Sequence, residues 1–600
     1  MSWKNLFRRN KRGFSVDKYL SPAETGPKRP YVNPELETAR RLEAAKQLHR
    51  EGNVAEAEAV YLDIVRNDPG HADAQHMIGV ARLERGRPAD AEQYLRDAIA
   101  LDDTQANFHS NLGNALVAQN RIEEAYESFQ RALSLNPEHM VALSNSTTAL
   151  LSMGRSGEAK ALCTRMLAIE PEDIDARRSM AAALMEEGDT HGAIATLREG
   201  LEIRNRDFGL LVQLASALEL VNQLDEAATV IARAEAVSPG VARVSLLAGL
   251  IARRQGNFEL ARQHLQAAID QGLPEREEIE AFNQLGLALD AMGDAAAFAA
   301  FKRSNQAMAR FTGAQNLDGD RFLREVAALR EFFTQEKFTD LRRVFPPDDD
   351  LRPVFFVGFP RSGTTLMEQV LKAHPGIVTT DEVSPLHAVT TVIERSGGYP
   401  RGLDRLASRD ISRLRQYFRD FCRDNIGDLE GKRLVDKLPL NILHLGLAKL
   451  LFPEAKIVVA LRDPRDACMS CFMQKFKLND AMANFLEIGT TGLAYEAVMG
   501  LWLHYRSILA GSWMEYRYED LVDNFDDTVS KVLDFIGVGW HEEISNYRQA
   551  AKQRAITTPS YRDVTAPVDD HAVARWRRYE RQLAPIFPVL APFVETFGYE

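Results

Sequence analysis

The sequence predicts two folds in series: an all-α solenoid of stacked helical hairpins, then an α/β domain with a mainly parallel sheet. Three observations carry this. Alanine recurs every 34 residues from Ala57 to Ala261. From Pro353 onward, short apolar runs alternate with helical stretches. Two of those runs open into loops rich in glycine, hydroxyl and arginine side chains.

Composition bounds the function. The chain has 600 residues, 45% hydrophobic and 26% charged, which excludes a disordered, collagen-like or membrane-embedded protein. Apolar runs such as Ile457–Leu461 fall far short of the ~18 residues that a membrane span needs. A net charge of −12 argues against a nucleic-acid partner. The four cysteines, Cys163, Cys422, Cys468 and Cys471, are too few for a disulfide framework and fit a reducing, cytoplasmic setting. Cys468 and Cys471 have CxxC spacing, but no second pair completes a zinc site, and no metal is expected.

Residues 1–35 read as a basic flexible tail. Lys4, Arg8, Arg9, Lys11 and Arg12 mix with Trp3, Leu6 and Phe7, and no apolar stretch makes a signal peptide. The composition also allows weak contact of this tail with a membrane surface.

Residues 36–312 are predicted to be the solenoid, seven 34-residue units plus a degenerate cap. The register alanines are Ala57, Ala91, Ala125, Ala159, Ala193, Ala227 and Ala261. Five residues before each stands Gly52, Gly86, Asn120, Gly154, Gly188, Asn222 or Gly256, residues that accept the left-handed turn ending a first helix. The small alanine lets the second helix pack closely on the first. Pro69, Pro137, Pro171 and Pro239 then stop the second helix.

This pattern resembles the tetratricopeptide repeat, over roughly residues 38–275, with Leu112-Gly113, Ala125 and Phe129 as one copy of its signature. An eighth unit, about Glu277–Phe311, has Phe298 where alanine is expected, as capping units allow. By analogy of fold, the resemblance implies a groove for a protein or peptide. Residues 313–350 read as a helical linker. One amphipathic helix is expected over Arg321–Phe338, then a breaker cluster over Phe345–Asp350.

Residues 351–600 carry the chemistry. Val354-Phe355-Phe356-Val357 reads as a buried strand, followed by Gly358-Phe359-Pro360-Arg361-Ser362-Gly363-Thr364-Thr365 and a helix. Loop amides and a helix N-terminus aimed at one point make an anion cradle. The spacing is P-loop-like, but Thr364 stands where a triphosphate site needs lysine, which weighs against a kinase or GTPase. A second unit runs from Lys456–Leu461 into Arg462-Asp463-Pro464-Arg465-Asp466 and a helix carrying Ser470. Arg462 at a strand's C-terminal end faces the ligand crevice of an open sheet. A guanidinium fork with the Ser470 hydroxyl suits a phosphate monoester; a surface Arg–Asp cluster is the alternative.

Together the two motifs resemble sulfotransferases that use 3′-phosphoadenosine 5′-phosphosulfate (PAPS), over roughly 350–600. Within them the chain is most similar to the tyrosylprotein branch. A Glu stands 21 residues after the loop Arg, here Glu382, and Leu371-Lys372-Ala373-His374-Pro375 lies between. The resemblance implies Glu382 as general base rather than His387. It places Arg361, Lys437 and Ser560 around the sulfuryl group. Arg361, Ser362, Gly363, Thr364 and Thr365 would hold the 5′-phosphate, and Arg462, Ser470 and Tyr518 would fix the nucleotide. No metal is implied.

Two departures stand out. Ser384 replaces the branch's basic residue two after the Glu, and the branch's membrane anchor and lumenal cysteines are absent. The acceptor is therefore read only as a hydroxyl. Glu382 also fits a helix start, and Ser560 a turn. Arg575, Arg577 and Arg578 fit either a phosphate contact or a solvated helix face. The competing class is a scaffold whose transferase-like domain no longer catalyses, against which Glu382, Arg361 and Lys437 stand intact.

Overall fold

A computed structural model of the chain describes residues 34–311, 316–345, 351–427, 429–509, 511–552 and 572–599. The basic tail, the core of the breaker cluster and Ser560 lie outside the described residues. The chain divides between Ala217 and Leu218 into two compact units.

The first unit is made of helical pairs, beginning with Pro34–Arg50 and Val54–Asn67 and repeating through Thr190–Ile203. Its register is the one the alanines predict. Ala57, Ala91, Ala125, Ala159 and Ala193 are fully buried. Asn120 turns the chain at φ +61°, as Gly86 does at +72°. Gly113 is needed for close approach: a Cβ there would lie 2.3 Å from the Phe129 ring.

The second unit continues the pairs. Ala242–Arg254 is followed by Phe258–Gln271, and Glu275–Ala291 by Ala297–Phe311. Next come Gly319–Phe332 and Gln335–Val344, two helices where the sequence predicts one. The break at Phe333-Thr334 has a packing cause and a capping cause. Phe333 is fully buried and meets the Tyr505 ring edge-on at 5.9 Å. Thr334 Oγ1 accepts from the Lys337 N–H at 3.1 Å and starts the second helix. Phe322, Val326, Leu329, Phe338 and Leu341 join Phe333 in the same core as the sheet, so residues 316–345, within the segment read as a linker, are packed structure.

The sheet has five parallel strands: β1 (Val354–Gly358), β2 (Ile377–Thr379), β3 (Arg433–Lys437), β4 (Lys456–Leu461) and β5 (Trp513–Arg517), in the order β2-β3-β1-β4-β5. Strand alternation splits the core. Phe355, Val357, Ile457 and Val459 face one layer with Phe418 and Trp502. Val354, Phe356, Val458 and Ala460 face the other with Met367, Val370 and Val532. Both faces are covered, which is why β1 and β4 read as continuous apolar runs. Successive strands add on opposite sides of β1, so the C-terminal end of β1 is the switch point where ligands enter such sheets.

Candidate active site

The loop after β1 is shaped by two left-handed residues. Arg361 has φ +68° and Gly363 has φ +83°. Gly363 caps the helix Thr364–Lys372, whose first-turn amides point out of the loop. A Cβ on Gly363 would sit 2.4 Å from the Tyr518 ring, so the cradle wall closes only on glycine. Ser362, Thr364 and Thr365 are buried beside it.

The β4 junction reaches the same point. Arg462 is 6% exposed and donates to the Arg361 carbonyl at 2.9 Å and to the Ala572 carbonyl at 2.6 Å. Its guanidinium lies 4.9 Å from the centre of the Tyr518 ring, a cation–π distance. Its Nε is buried without a hydrogen-bond partner among the described residues. Arg361 Nε donates to Ser470 Oγ at 3.1 Å. Sequence reading put Arg361 and Ser470 at opposite ends of the donor; here they touch. Cys471 Sγ donates to the Pro360 carbonyl at 3.3 Å and is fully buried. Burial pushes the thiols of Cys468 and Cys471 well up, the opposite of a reactive pair.

The carboxylates gather at the end of β3. Lys437 is fully buried, with its Nζ 2.7 Å from Glu382 Oε1 and 2.7 Å from Glu368 Oε2. Burial opposes the lysine charge, but the two carboxylates overcome it and raise the ammonium above the usual lysine range. Burial pushes Glu368 up to about 7 against the pull of Lys437. One cation shared by two carboxylates accounts for the raised lysine, and burial accounts for the raised Glu368. Beside it, burial raises the Asp436 carboxyl to about 8. Thr380 Oγ1 accepts from the Lys437 N–H at 3.0 Å, and Asn441 donates to Asp436 Oδ1 at 3.1 Å.

Sequence reading named Glu382 and Lys437, and the structure brings them together. It missed Glu368, Asp436 and Glu519. Glu368 was findable as the one acid among Leu366, Met367, Val370 and Leu371. Glu519 accepts from the Asp463 N–H at 3.0 Å and from the Tyr599 hydroxyl at 2.8 Å, a tertiary contact with no local signal. Ser384 is the N-cap of Pro385–Gly397, accepting from the His387 N–H at 3.1 Å. Arg575 and Arg578 bind Asp290, and Arg577, which is exposed, lies 5.1 Å over the Trp576 ring.

Residues 353–542 match the family model described as Sulfotransferase family, and residues 42–106, 106–139 and 212–274 match tetratricopeptide-repeat models. The chain carries tetratricopeptide repeats and a sulfotransferase-family domain. A protein-tyrosine sulfotransferase of Drosophila melanogaster is 25% identical over 280 residues, 44% of this chain and 54% of that protein. An uncharacterized protein of Aquifex aeolicus is 28% identical over 269 residues, 43% of this chain and 35% of that protein. The chain therefore spans about half or less of the length of these two relatives. A tetratricopeptide repeat protein from Parabacteroides merdae superposes with a TM-score of 0.36 at 17% identity, covering 42% of this chain and 99% of that one. No described helix is long and apolar enough to cross a membrane.

The cradle of the sulfotransferase domain fits a phosphosulfate donor on two counts. Glycine is required at 363, and a buried guanidinium nitrogen at Arg462 stands without a partner among the described residues.

Proposed function

We propose that the chain is a PAPS-dependent sulfotransferase acting on a hydroxyl acceptor, with the repeats recruiting a protein or other large acceptor. The observation that carries this is the Glu382–Lys437 pair in a sulfotransferase-family domain that also holds the anion loop. When bound, PAPS supplies the sulfuryl group, whose sulfur bonds to the acceptor oxygen as its bond to the 5′-phosphate oxygen breaks.

The chain's residues do the rest. The loop amides with Ser362, Gly363, Thr364 and Thr365 hold the phosphosulfate, and Arg462, Ser470 and Tyr518 fix the nucleotide. Glu382 takes the acceptor's proton, an effect of typically about 10² to 10⁴ in rate. Lys437 first orients Glu382. Once Glu382 is neutral, the ammonium keeps its charge and loses one partner, so its field is free to stabilise negative charge developing nearby. Arg361 adds a second cation. Ser560 is assigned the remaining sulfuryl contact from the resemblance alone.

Support for recruitment comes from a row of polar side chains on the first helices of successive repeats. Asn111 donates to His76 at 2.8 Å, and Asn145 to Asn114 at 2.7 Å. Burial holds the His76 imidazole down to about 4, so it is neutral and accepts. Such a row offers donors and acceptors to a peptide main chain. Tyrosine is the first hydroxyl to test, given the names of the relatives. Four buried free thiols are compatible with a cytoplasmic setting.

The test is transfer of labelled sulfate from PAPS into a lysate by the full chain, followed by identification of the labelled product. Label that appears with wild type and is absent with Glu382→Gln supports the reading. No label with wild type rejects it.

A further inference from the structure

Asp290 belongs to the last repeat, one residue before the end of the helix Glu275–Ala291, and is 5% exposed. Its side chain is held by the sulfotransferase domain. Arg575 Nε donates to Oδ1 at 3.1 Å, a second Arg575 nitrogen pairs with Oδ2, and the Tyr579 hydroxyl donates to Oδ1 at 2.5 Å. Arg578 donates to the Asp290 carbonyl at 2.6 Å.

These three residues flank Trp576, and Trp576 leads to the anion site. Its backbone N–H donates to Asp466 Oδ1 at 2.7 Å, and its ring centre lies 3.9 Å from the Arg465 guanidinium. Four residues earlier, the Ala572 carbonyl accepts from Arg462. Arg462, Arg465 and Asp466 come from a single turn after β4. Hydrogen bonds and ring contacts therefore run from the repeat array to the guanidinium that faces the ligand. A second contact keeps the two ends in register: Phe298 stacks on Phe472 at 4.8 Å and tilts against Tyr579 at 6.4 Å. The position where the eighth repeat departs from its pattern, Phe298, thus packs against the transferase.

We propose that Asp290 is a positioning residue for nucleotide binding. By neutralising Arg575 and Arg578 it fixes the 572–579 segment against Arg462, and so the last repeat sets the affinity for a nucleotide bearing a 3′-phosphate. Without the carboxylate, two guanidinium groups face each other and the segment loses its anchor. The inference rests on reading the cradle as a PAPS site, and the experiment separates the two.

Full-length wild type, Asp290→Asn and Tyr579→Phe are titrated calorimetrically with 3′-phosphoadenosine 5′-phosphate and with ADP, and each is melted thermally. Asp290→Asn is expected to lose about tenfold in affinity for the 3′-phosphorylated nucleotide, the scale of one charged hydrogen bond. Its affinity for ADP should change by less than about twofold, so the selectivity falls; a merely structural residue would lower the melting temperature and leave selectivity intact. That second outcome overturns the proposal. Wild type that binds both nucleotides equally rejects the PAPS reading itself. If Asp290→Asn does not fold, Tyr579→Phe decides, because it removes one hydroxyl and keeps the ring. A loss of about threefold in selectivity supports the proposal, and unchanged selectivity overturns it.

Discussion

Lys437 Nζ stands 2.7 Å from Glu382 Oε1, although fifty-five residues separate the two in the chain. The lysine is at the end of a central strand. The glutamate sits in a turn where Asp381 and Glu382 both have positive φ, +47° and +68°. Two successive non-glycine residues in that region cost roughly 1–2 kcal/mol each. The turn is closed by the Val383 N–H, which donates to the Thr380 carbonyl at 2.9 Å, and the ion pair anchors the Glu382 side chain. Strain kept at a carboxylate, beside a buried ammonium and an anion loop, points to a group whose position matters for chemistry.

Glu382→Gln keeps the shape of the side chain and removes its basicity. Turnover is expected to fall by about 10² or more, with nucleotide affinity nearly unchanged. His387→Ala should alter neither, since His387 is exposed and its backbone serves the Ser384 cap. Turnover and nucleotide titration on both variants check this. A near-normal rate for Glu382→Gln with a collapsed rate for His387→Ala would reverse the assignment.

The repeats and the two anion-site junctions were legible because their signals are local. A 34-residue period names the alanines, and glycine or asparagine five residues before each names the left-handed turns. The Glu382–Lys437 pairing came from resemblance, since nothing local says that two residues fifty-five apart will meet. Glu368 and Asp290 were passed over for a related reason. Each lies on a helix whose pattern reads as ordinary packing, and its partner, Lys437 or Arg575, comes from a distant element. The break at Phe333 was hidden because amphipathic spacing continues through it. The Thr334 cap interrupts the helix without interrupting the apolar stripe.

Gly363→Ala should disable the anion loop. The new methyl would meet Tyr518 at 2.4 Å, at a residue held at φ +83°. An alanine at positive φ costs about 1 kcal/mol or more before any clash. Nucleotide affinity should fall at least tenfold while the far-ultraviolet circular dichroism is retained. Adding Tyr518→Ala would relieve the clash but leaves the backbone strain and removes the ring under Arg462, so affinity should not recover. Full binding by the single variant would show that the loop is not the cradle.

Stability should fall as pH rises toward 8. Burial lifts the Asp436 carboxyl from 3.8 to about 8 and that of Glu368 from 4.5 to about 7. In this window the folded state holds protons that the unfolded chain releases, so raising the pH favours unfolding. The contribution is complete below about pH 4 and is lost as pH passes through the folded values. Asp436→Asn keeps an acceptor for Asn441 and cannot ionise. It should flatten the decline in urea-unfolding free energy between pH 5 and 8 by an amount on the order of a few kcal/mol. An unchanged slope would mean that Asp436 ionises normally in the folded protein.

The breaker cluster beginning at Phe345 suggests cutting near Arg342 to obtain a nucleotide-binding fragment. Packing argues for an earlier cut. Starting at Arg342 removes Phe322, Val326, Leu329, Phe333, Phe338 and Leu341, all buried in the core that includes one face of the sheet. Each such side chain stabilises by about 1.5–3 kcal/mol, and six together exceed or match the ~5–15 kcal/mol that holds a typical domain. The cut also removes Asp290 from Arg575 and Arg578, and Asn283 and Asn305 from the Met473 and Phe472 carbonyls that they bind at 3.1 and 3.0 Å. A fragment starting at Asp207, whose side chain accepts from the Leu210 N–H at 2.9 Å at the head of the helix Phe208–Leu220, keeps all of these. It should be soluble, unfold cooperatively and bind 3′-phosphoadenosine 5′-phosphate within about threefold of the full chain. The fragment from Arg342 should aggregate or melt without cooperativity. Paired thermal melts and titrations decide, and a stable, binding-competent fragment from Arg342 would show that the last repeat and the two following helices are dispensable to the domain.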